Sequence, residues 1–375
     1  MHCLLADNWL PHRGGSRQYY HDLLAACPAG SFHVITATHP DAAVFDAAQP
    51  YTIERWPWPG DAGYGGLTRQ AIHAVRLFRR LVALRPECVH VGDALPSGLA
   101  AYAYARHAGV PSVMYAHDEP LTPHLRVRTR VERMLYRHAT RVVAASSWAH
   151  ARLREEGVAE ECIVGLPPVV DVPAFEAVRA ARAGRQGAAT VITICRLVPH
   201  KGVDVLLDAM AAVRREIPAA RVLIVGDGPE RGALERRAAC DDLDGAVQFC
   251  GPVNNAERAM LLAQADVFVL ASRPRPDGTI REGVGIAVLE AAACGVPVVV
   301  SRLGGLCDSV IEGVTGVAVP PDGPAALADA IRQLLSNPEQ AQRMGAAACA
   351  HVSEHFALQA QVKRFAALLT ELCAS

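Results

Sequence analysis

Along this chain, short apolar runs take turns with longer segments in which apolar positions return at helical spacing. The first half reads HCLLAD, a Gly-Gly turn with QYYHDLLAAC, and FHVITATH; CVHVGD, SGLAAYAYARHAG, PSVMYAHD and RVVAASS follow. The second half offers TVITICR, RVLIVGDG, VQFCG, VFVLAS and PVVVS as strands, with VDVLLDAMAAVRREI and ERGALERRAAC as helices between them. Strand–helix alternation of this kind predicts an α/β protein with doubly wound parallel sheets. Residues 166–188, beginning LPPVVDVPAF, have no clear period and are rich in Pro, Ala, Gly and Arg, which predicts a linker. The expected architecture is two Rossmann-like domains with a ligand site in the cleft between them.

Composition narrows this picture without changing it. A length of 375 residues suits two cores, and 51% apolar with 20% charged residues suits globular packing. The formal net charge of −1 gives no global pull toward nucleic acid or a membrane, although local patches can still act. The 11 cysteines are scattered without a CxxC pair, which predicts buried thiols in a reducing compartment and neither a disulfide frame nor a zinc site. MHCLLADNWLPHRGG is too short an apolar run for a secretion signal, and no window reaches a membrane span, so a cytoplasmic location is expected.

Four loops at predicted strand ends carry unusual chemistry. In REGVGIAVLEAAACGVPVVV, Glu282 and Glu290 are eight positions apart, about 80° on one helix, which is too far for a paired-carboxylate site. If a helix starts near Ile286, Glu282 lies in the preceding loop and the two acids can reach opposite ends of one elongated ligand. Gly283 and Gly285 let backbone approach closely, and the helix start favours an anion. In ICRLVPHKG, Arg196 and Lys201 straddle a turn after a strand and can clamp a diphosphate. HRGGSRQYYHDLL sets Gly14 and Gly15 between strand and helix, and MYAHDEP sets His117 at a strand end. Each also has an ordinary reading as a solvated turn charge, a helix-start acid or a packed histidine. VGDGPER reads as a scaffolding turn.

Taken together, ICRLVPHKGVDVLLDAM, VGDGPER and EGVGIAVLEAAACGVPVV, with weaker matches at GGSRQY, MYAHDEP and VVDVPAF, resemble glycosyltransferase family 4, a group of the GT-B fold. The resemblance spans nearly the whole chain and implies a retaining transferase that moves a sugar from a nucleoside-diphosphate-sugar to a hydroxyl acceptor. It implies Glu290 on the ribose, Glu282 facing the transferred sugar, and backbone from Gly283, Val284, Gly285 and Ile286 on sugar and phosphate. Arg196 and Lys201 would neutralise the diphosphate, Val253 would meet the base, Gly15 would approach the diphosphate, and His117 would sit beside the sugar. Gly14, Ser16 and Asp118 are the expected acceptor contacts. No metal and no cofactor are implied, since two cations and a helix start take a metal's place.

The implied division is an acceptor-binding domain over 1–165, the linker, a donor-binding domain over 189–350, and a C-terminal helix over 351–375 returning to the first domain. The sequence departs from the family pattern in the long loop RPRPDGTIREG and in Val284, where phenylalanine is frequent. Competing readings are a transferase for small metabolites, a GT-B epimerase or phosphorylase, and an inert GT-B binding subunit. Finally, Arg126, Arg130, Arg133, Arg137 and Arg141 fall within an arc of about 80° on an ideal helix, and Arg69, Arg76 and Arg80 share a face opposite Phe78 and Val82. These stripes read as solvated faces or as a seat on anionic lipid, and nucleic acid is not an expected partner.

Overall fold

A computed structural model describes residues 1–11, 14–58, 67–117, 126–182, 189–240, 243, 245–280 and 282–374. The chain divides into two compact units, Met1–Val169 with Leu358–Ser375, and Val170–Ala357. In the first unit the strands are β1 (His2–Leu5), β2 (Phe32–Ala37), β3 (Thr52–Trp56), β4 (Cys88–Val91), β5 (Ser112–Ala116), β6 (Arg141–Ala144) and β7 (Ile163–Gly165). They pair in the order β3-β2-β1-β4-β5-β6-β7, every pair parallel. The helices of this unit are α1 (Gly15–Ala25), α2 (Ala42–Ala47), α3 (Leu67–Leu84), α4 (Ser97–Ala108), α5 (Arg126–His138) and α6 (Ser147–Glu155).

The second unit holds β8 (Thr190–Ile194), β9 (Arg221–Val225), β10 (Val247–Gly251), β11 (Val267–Leu270), β12 (Val298–Ser301) and β13 (Gly316–Val319). Their order is β10-β9-β8-β11-β12-β13, again all parallel. Around them run α7 (Glu176–Arg182), α8 (Val203–Glu216), α9 (Arg231–Cys240), α10 (Asn255–Gln264), α11 (Ile286–Ala293), α12 (Pro324–Ser336) and α13 (Pro338–His355); α14 (Leu358–Ala374) returns to the first unit. The expected pair of Rossmann-like, doubly wound sheets is therefore present. All strands of a sheet end at one edge, and the order reverses between β1 and β4 and between β8 and β11. Those two switch points are where such sheets seat ligands.

Apolar alternation explains both faces of the first sheet. Cys3, Leu5, Val89 and Val91 point into one core with Leu77 and Leu81 of α3 and Tyr104 of α4. The opposite face takes α1 and α14, where Phe365 stacks on Phe32 at 6.0 Å between ring centroids. Every predicted strand is present. The structure adds β3, β7 and β13, each at a sheet edge. The segment read as a linker is ordered from Val170 to Arg182 as a short turn and α7 of the second unit. It is held there by Arg179 donating to Ala293 O at 2.9 Å and Arg182 donating to Leu262 O at 3.1 Å. Both acceptors lie at helix carboxyl ends, where the backbone dipole favours a cation.

The first unit also buries neutral imidazoles. His73 packs edge-on to Trp58 at 4.2 Å, and burial, with Arg76 adding repulsion, pushes its pKa down to about 4. His117 is enclosed by Tyr19, Tyr20 and Tyr115, and burial likewise lowers it to about 4. The unfolded chain takes these protons near pH 6.5 while the native state refuses them until about pH 4, so stability rises with pH across that window. Each group costs at most about 3 kcal/mol at the acid end of the window, less for His117, whose ring keeps some exposure. Urea midpoints should therefore hold from pH 8 to pH 7 and fall steadily from pH 6.5 to pH 4.5. A flat profile over the lower range would contradict this.

Candidate active site

The loop after β8 is built by glycines. Gly202 has φ +61°, and a Cβ there would lie 1.9 Å from Ala271 O, so the chain bends back against the end of β11 only without a side chain. Gly226, at φ +128°, lies as tightly on Cys195 O, with Cβ again at 1.9 Å, and Leu197 N–H donates to Asp227 O at 2.9 Å. VGDGPER is thus the support beneath Arg196, as its turn chemistry predicts. Arg273, at the start of the long loop RPRPDGTIREG, is a brace: it donates to Pro199 O at 2.9 Å, Asp204 at 2.9 Å and Asp322 at 3.1 Å. Lys201 is thereby presented at the switch point.

There Lys201 Nζ donates to Glu282 Oε1, and Ser272 Oγ donates to the same oxygen at 2.9 Å. Glu282 is 2% exposed, whereas the Lys201 side chain keeps 21% exposure. Arg196 is exposed, on the same loop. Lys201 thus compensates a buried carboxylate, whereas Arg196 stands in solvent.

As expected, α11 starts at Ile286, with Gly285 as its cap, so Glu282 lies in the loop and Glu290 inside the helix. The first-turn amides of α11 have no intrahelical acceptor and face toward its start. Glu290, 6% exposed, accepts from Arg258 Nη2 at 2.8 Å. Arg258 stands on α10, whose start is fixed by a reciprocal cap: Glu257 N–H to Asn254 at 2.9 Å and Asn254 N–H to Glu257 at 2.8 Å. Val253 immediately precedes that cap and packs against the second unit's core. Gly283 is half-buried and Val284 fully buried.

In the first unit, α1 opens at Gly15, after Gly14, with Ser16 exposed. One turn later Tyr20 meets His117 Nε2 at 2.7 Å and donates to Gly92 O at 3.3 Å. With its proton on Gly92 O, the phenol accepts from the imidazole, which leaves Nδ1 as an acceptor. Asp118 lies outside the described residues.

Sequence reasoning missed Asp7 and Asp93, at the ends of β1 and β4. Asp7 N–H donates to Asp93 at 2.9 Å and Ser97 Oγ to Asp7 at 3.2 Å. Burial, with Asp93 beside it, pushes the Asp7 carboxyl well above the carboxylate range. The available signal was that HCLLAD and CVHVGD both close on aspartate at neighbouring strands. Ser272 closed VFVLAS in the same way; Arg258 had no sequence signal.

Known proteins fit this arrangement. The family described as Glycosyltransferase Family 4 matches residues 13–173, and that described as Glycosyl transferases group 1 matches residues 175–351. The chain is 33% identical over 360 residues to a GDP-mannose-dependent α-(1-6)-phosphatidylinositol monomannoside mannosyltransferase of Mycobacterium tuberculosis, covering 92% of this chain and 91% of that one. It is 29% identical over 386 aligned positions to the corresponding enzyme for the monoacylated substrate in Corynebacterium glutamicum, covering 98% and 97%. The crystal structure of Anabaena HepE in complex with UDP and glucose shares the fold, with a TM-score of 0.81 at 21% identity, covering 98% of this chain and 99% of that one. The two family matches and the near full-length relatives establish that this chain belongs to glycosyltransferase family 4 and is a glycosyltransferase of the GT-B fold.

Proposed function

We propose that the enzyme is a retaining mannosyltransferase that moves mannose from GDP-mannose to a hydroxyl of a phosphoinositide glycolipid. The observation that carries this reading is the pair of anchored glutamates in the second unit, Glu282 on Lys201 and Glu290 on Arg258. The donor and acceptor classes come from the mycobacterial and corynebacterial relatives. In this reading Glu290 takes the ribose hydroxyls, and the amides from Gly283 to Ile286 meet sugar and phosphate. Arg196 and Lys201 offset the charge that gathers on the departing GDP, a preorganised electrostatic role. Val253 meets the base and Glu282 positions the mannose. As the C–O bond to GDP breaks, the acceptor oxygen attacks the same face and its proton passes to the leaving phosphate. His117, neutral at working pH, accepts a sugar hydroxyl through Nδ1. Gly15 approaches the diphosphate, and Gly14, Ser16 and Asp118 serve the acceptor.

A basic, apolar helix face supports a membrane-borne acceptor. Among the described residues no helix is long and apolar enough to cross a membrane. On α3, however, Ile72, Val75 and Val82 are 52%, 51% and 37% exposed, beside exposed Arg69, Arg76 and Arg79. Val82 therefore belongs with the exposed arginine face and not opposite it, while Phe78 packs inward. Arg76, Arg79 and Arg80 also line a pocket of about 470 Å³ with Trp56 and His73. In the other stripe three arginines are tied down: Arg133 pairs with Glu156, Arg137 donates to Glu156 O at 2.7 Å, and Arg141, on β6, pairs with Glu371, while Arg130 is exposed. The lipid seat is thus α3, where each basic residue near an anionic surface adds about 1 kcal/mol.

Three experiments test this reading. In a thermal-shift panel, GDP and GDP-mannose at 100 times Kd should stabilise the enzyme by about 2.7 kcal/mol, and UDP and UDP-glucose at the same concentration by much less. A larger shift with the uridine pair would overturn the donor. Glu290→Ala should abolish most of the GDP shift.

Arg196→Ala should cut kcat/KM by about 100-fold with an unchanged melting temperature. Lys201→Ala should match that loss and also destabilise by about 2 kcal/mol, below the range for a fully buried pair because the lysine is partly exposed. Lys201→Met with Glu282→Leu should regain the stability and none of the activity. A Lys201→Ala protein as stable as wild type would contradict the pairing.

Co-sedimentation with phosphatidylinositol-containing vesicles at low salt should be lost in Ile72→Asp/Val75→Asp and kept in Arg133→Gln/Arg137→Gln. Equal amounts of all three proteins in the supernatant would remove the lipid seat.

A further inference from the structure

The amino ends of β1 and β4 carry chemistry that sugar transfer does not use. In the parallel register His2 is opposite Cys88 and Leu4 opposite His90. Because side chains alternate, His2, Cys88 and His90 share one face, while Cys3, Val89 and Val91 point into the other core. The three are 7%, 1% and 0% exposed. Their ligand atoms converge: His2 Nδ1 is 3.1 Å from His90 Nε2, Cys88 Sγ is 3.5 Å from the same nitrogen, and all three lie within 4.8 Å of one another. A metal bound by two imidazoles and a thiolate, at about 2.0 and 2.3 Å, holds its ligand atoms about 3.3 to 3.7 Å apart. Two of the three separations, 3.1 and 3.5 Å, are close to that spacing already.

The outer nitrogens are also spoken for. His90 Nδ1 meets the Tyr115 hydroxyl at 3.0 Å, and His2 Nε2 lies 3.9 Å from Cys373 Sγ of α14. Partners on the far nitrogen are what fix the tautomer and ring plane of a ligating histidine.

We propose that His2, Cys88 and His90 form a buried three-ligand site for Cu(I). Three ligands of one thiolate and two imidazoles suit a soft monovalent ion, and its charge cancels that of the thiolate. Zn(II) would leave a net positive charge in an apolar core, and no fourth His, Cys, Asp or Glu joins the group among the described residues. On binding, the metal–sulfur bond replaces the S–H bond and one proton leaves to solvent. The ion ties β1 to β4 at the sheet edge opposite Tyr20 and His117. It is a structural centre, separate from transfer.

The whole chain, reduced and anaerobic, is titrated with Cu(I) against bicinchoninate and, in a second arm, with Zn(II) against a zinc indicator. One equivalent of Cu(I) should bind, with one sulfur and two nitrogens in the X-ray absorption spectrum. Tyr115→Phe should weaken it by roughly 10- to 100-fold, and Cys88→Ser by more. Where Cys88→Ser loses its fold, His2→Gln at the first strand residue carries the same comparison. Equal Cu(I) affinity in wild type and these variants, or a shell of two sulfurs, would overturn the site. Tighter Zn(II) binding at the same residues would overturn the choice of ion.

Discussion

A buried carboxylate must be compensated where it stands, and Glu282 is the group on which the second unit's functional surface depends. With 2% exposure it cannot rely on water, and Lys201 and Ser272 hold the same oxygen. That requirement dictates the backbone around it. Gly202 closes the β8 loop onto β11 so that Lys201 arrives, Arg273 braces that loop, and Gly305 N–H caps Glu282 O at 3.1 Å. In the proposed reading, a lysine held on a carboxylate is already aimed at the place where a diphosphate would share it.

Glu290 repeats the device with Arg258 on α10. The two anchored acids explain how an eight-residue spacing, awkward on a single helix, is accommodated here. One acid is held by the loop that precedes α11, the other by a neighbouring helix, and the cap at Gly285 turns the chain between them.

The fold was legible wherever a strand is covered on both faces, because such strands are continuous apolar runs. Those that escaped, TIERW, IVG and GVAV, are edge strands, where only one neighbour and partial cover are required. TIERW even uses its polar residues: Arg55 pairs with Asp46 at 2.7 Å and Glu54 with His33 at 2.9 Å. The segment after Leu166 escaped for a different reason, since α7 is held by arginines capping other helices and not by an apolar stripe. As candidates, Glu282, Glu290, Arg196 and Lys201 were readable because each belongs to a short motif at a strand end. Arg258 was not, since its meaning arises from a contact 32 positions away that no local pattern encodes.

The central claim is that the Lys201–Glu282 pair opens into the donor, cation to diphosphate and carboxylate to sugar. A crystal structure with GDP-mannose bound measures this directly. Lys201 Nζ should lie within hydrogen-bond distance of a diphosphate oxygen while Glu282 accepts from a mannose hydroxyl. A donor seated away from both residues, with the ion pair undisturbed, would contradict it.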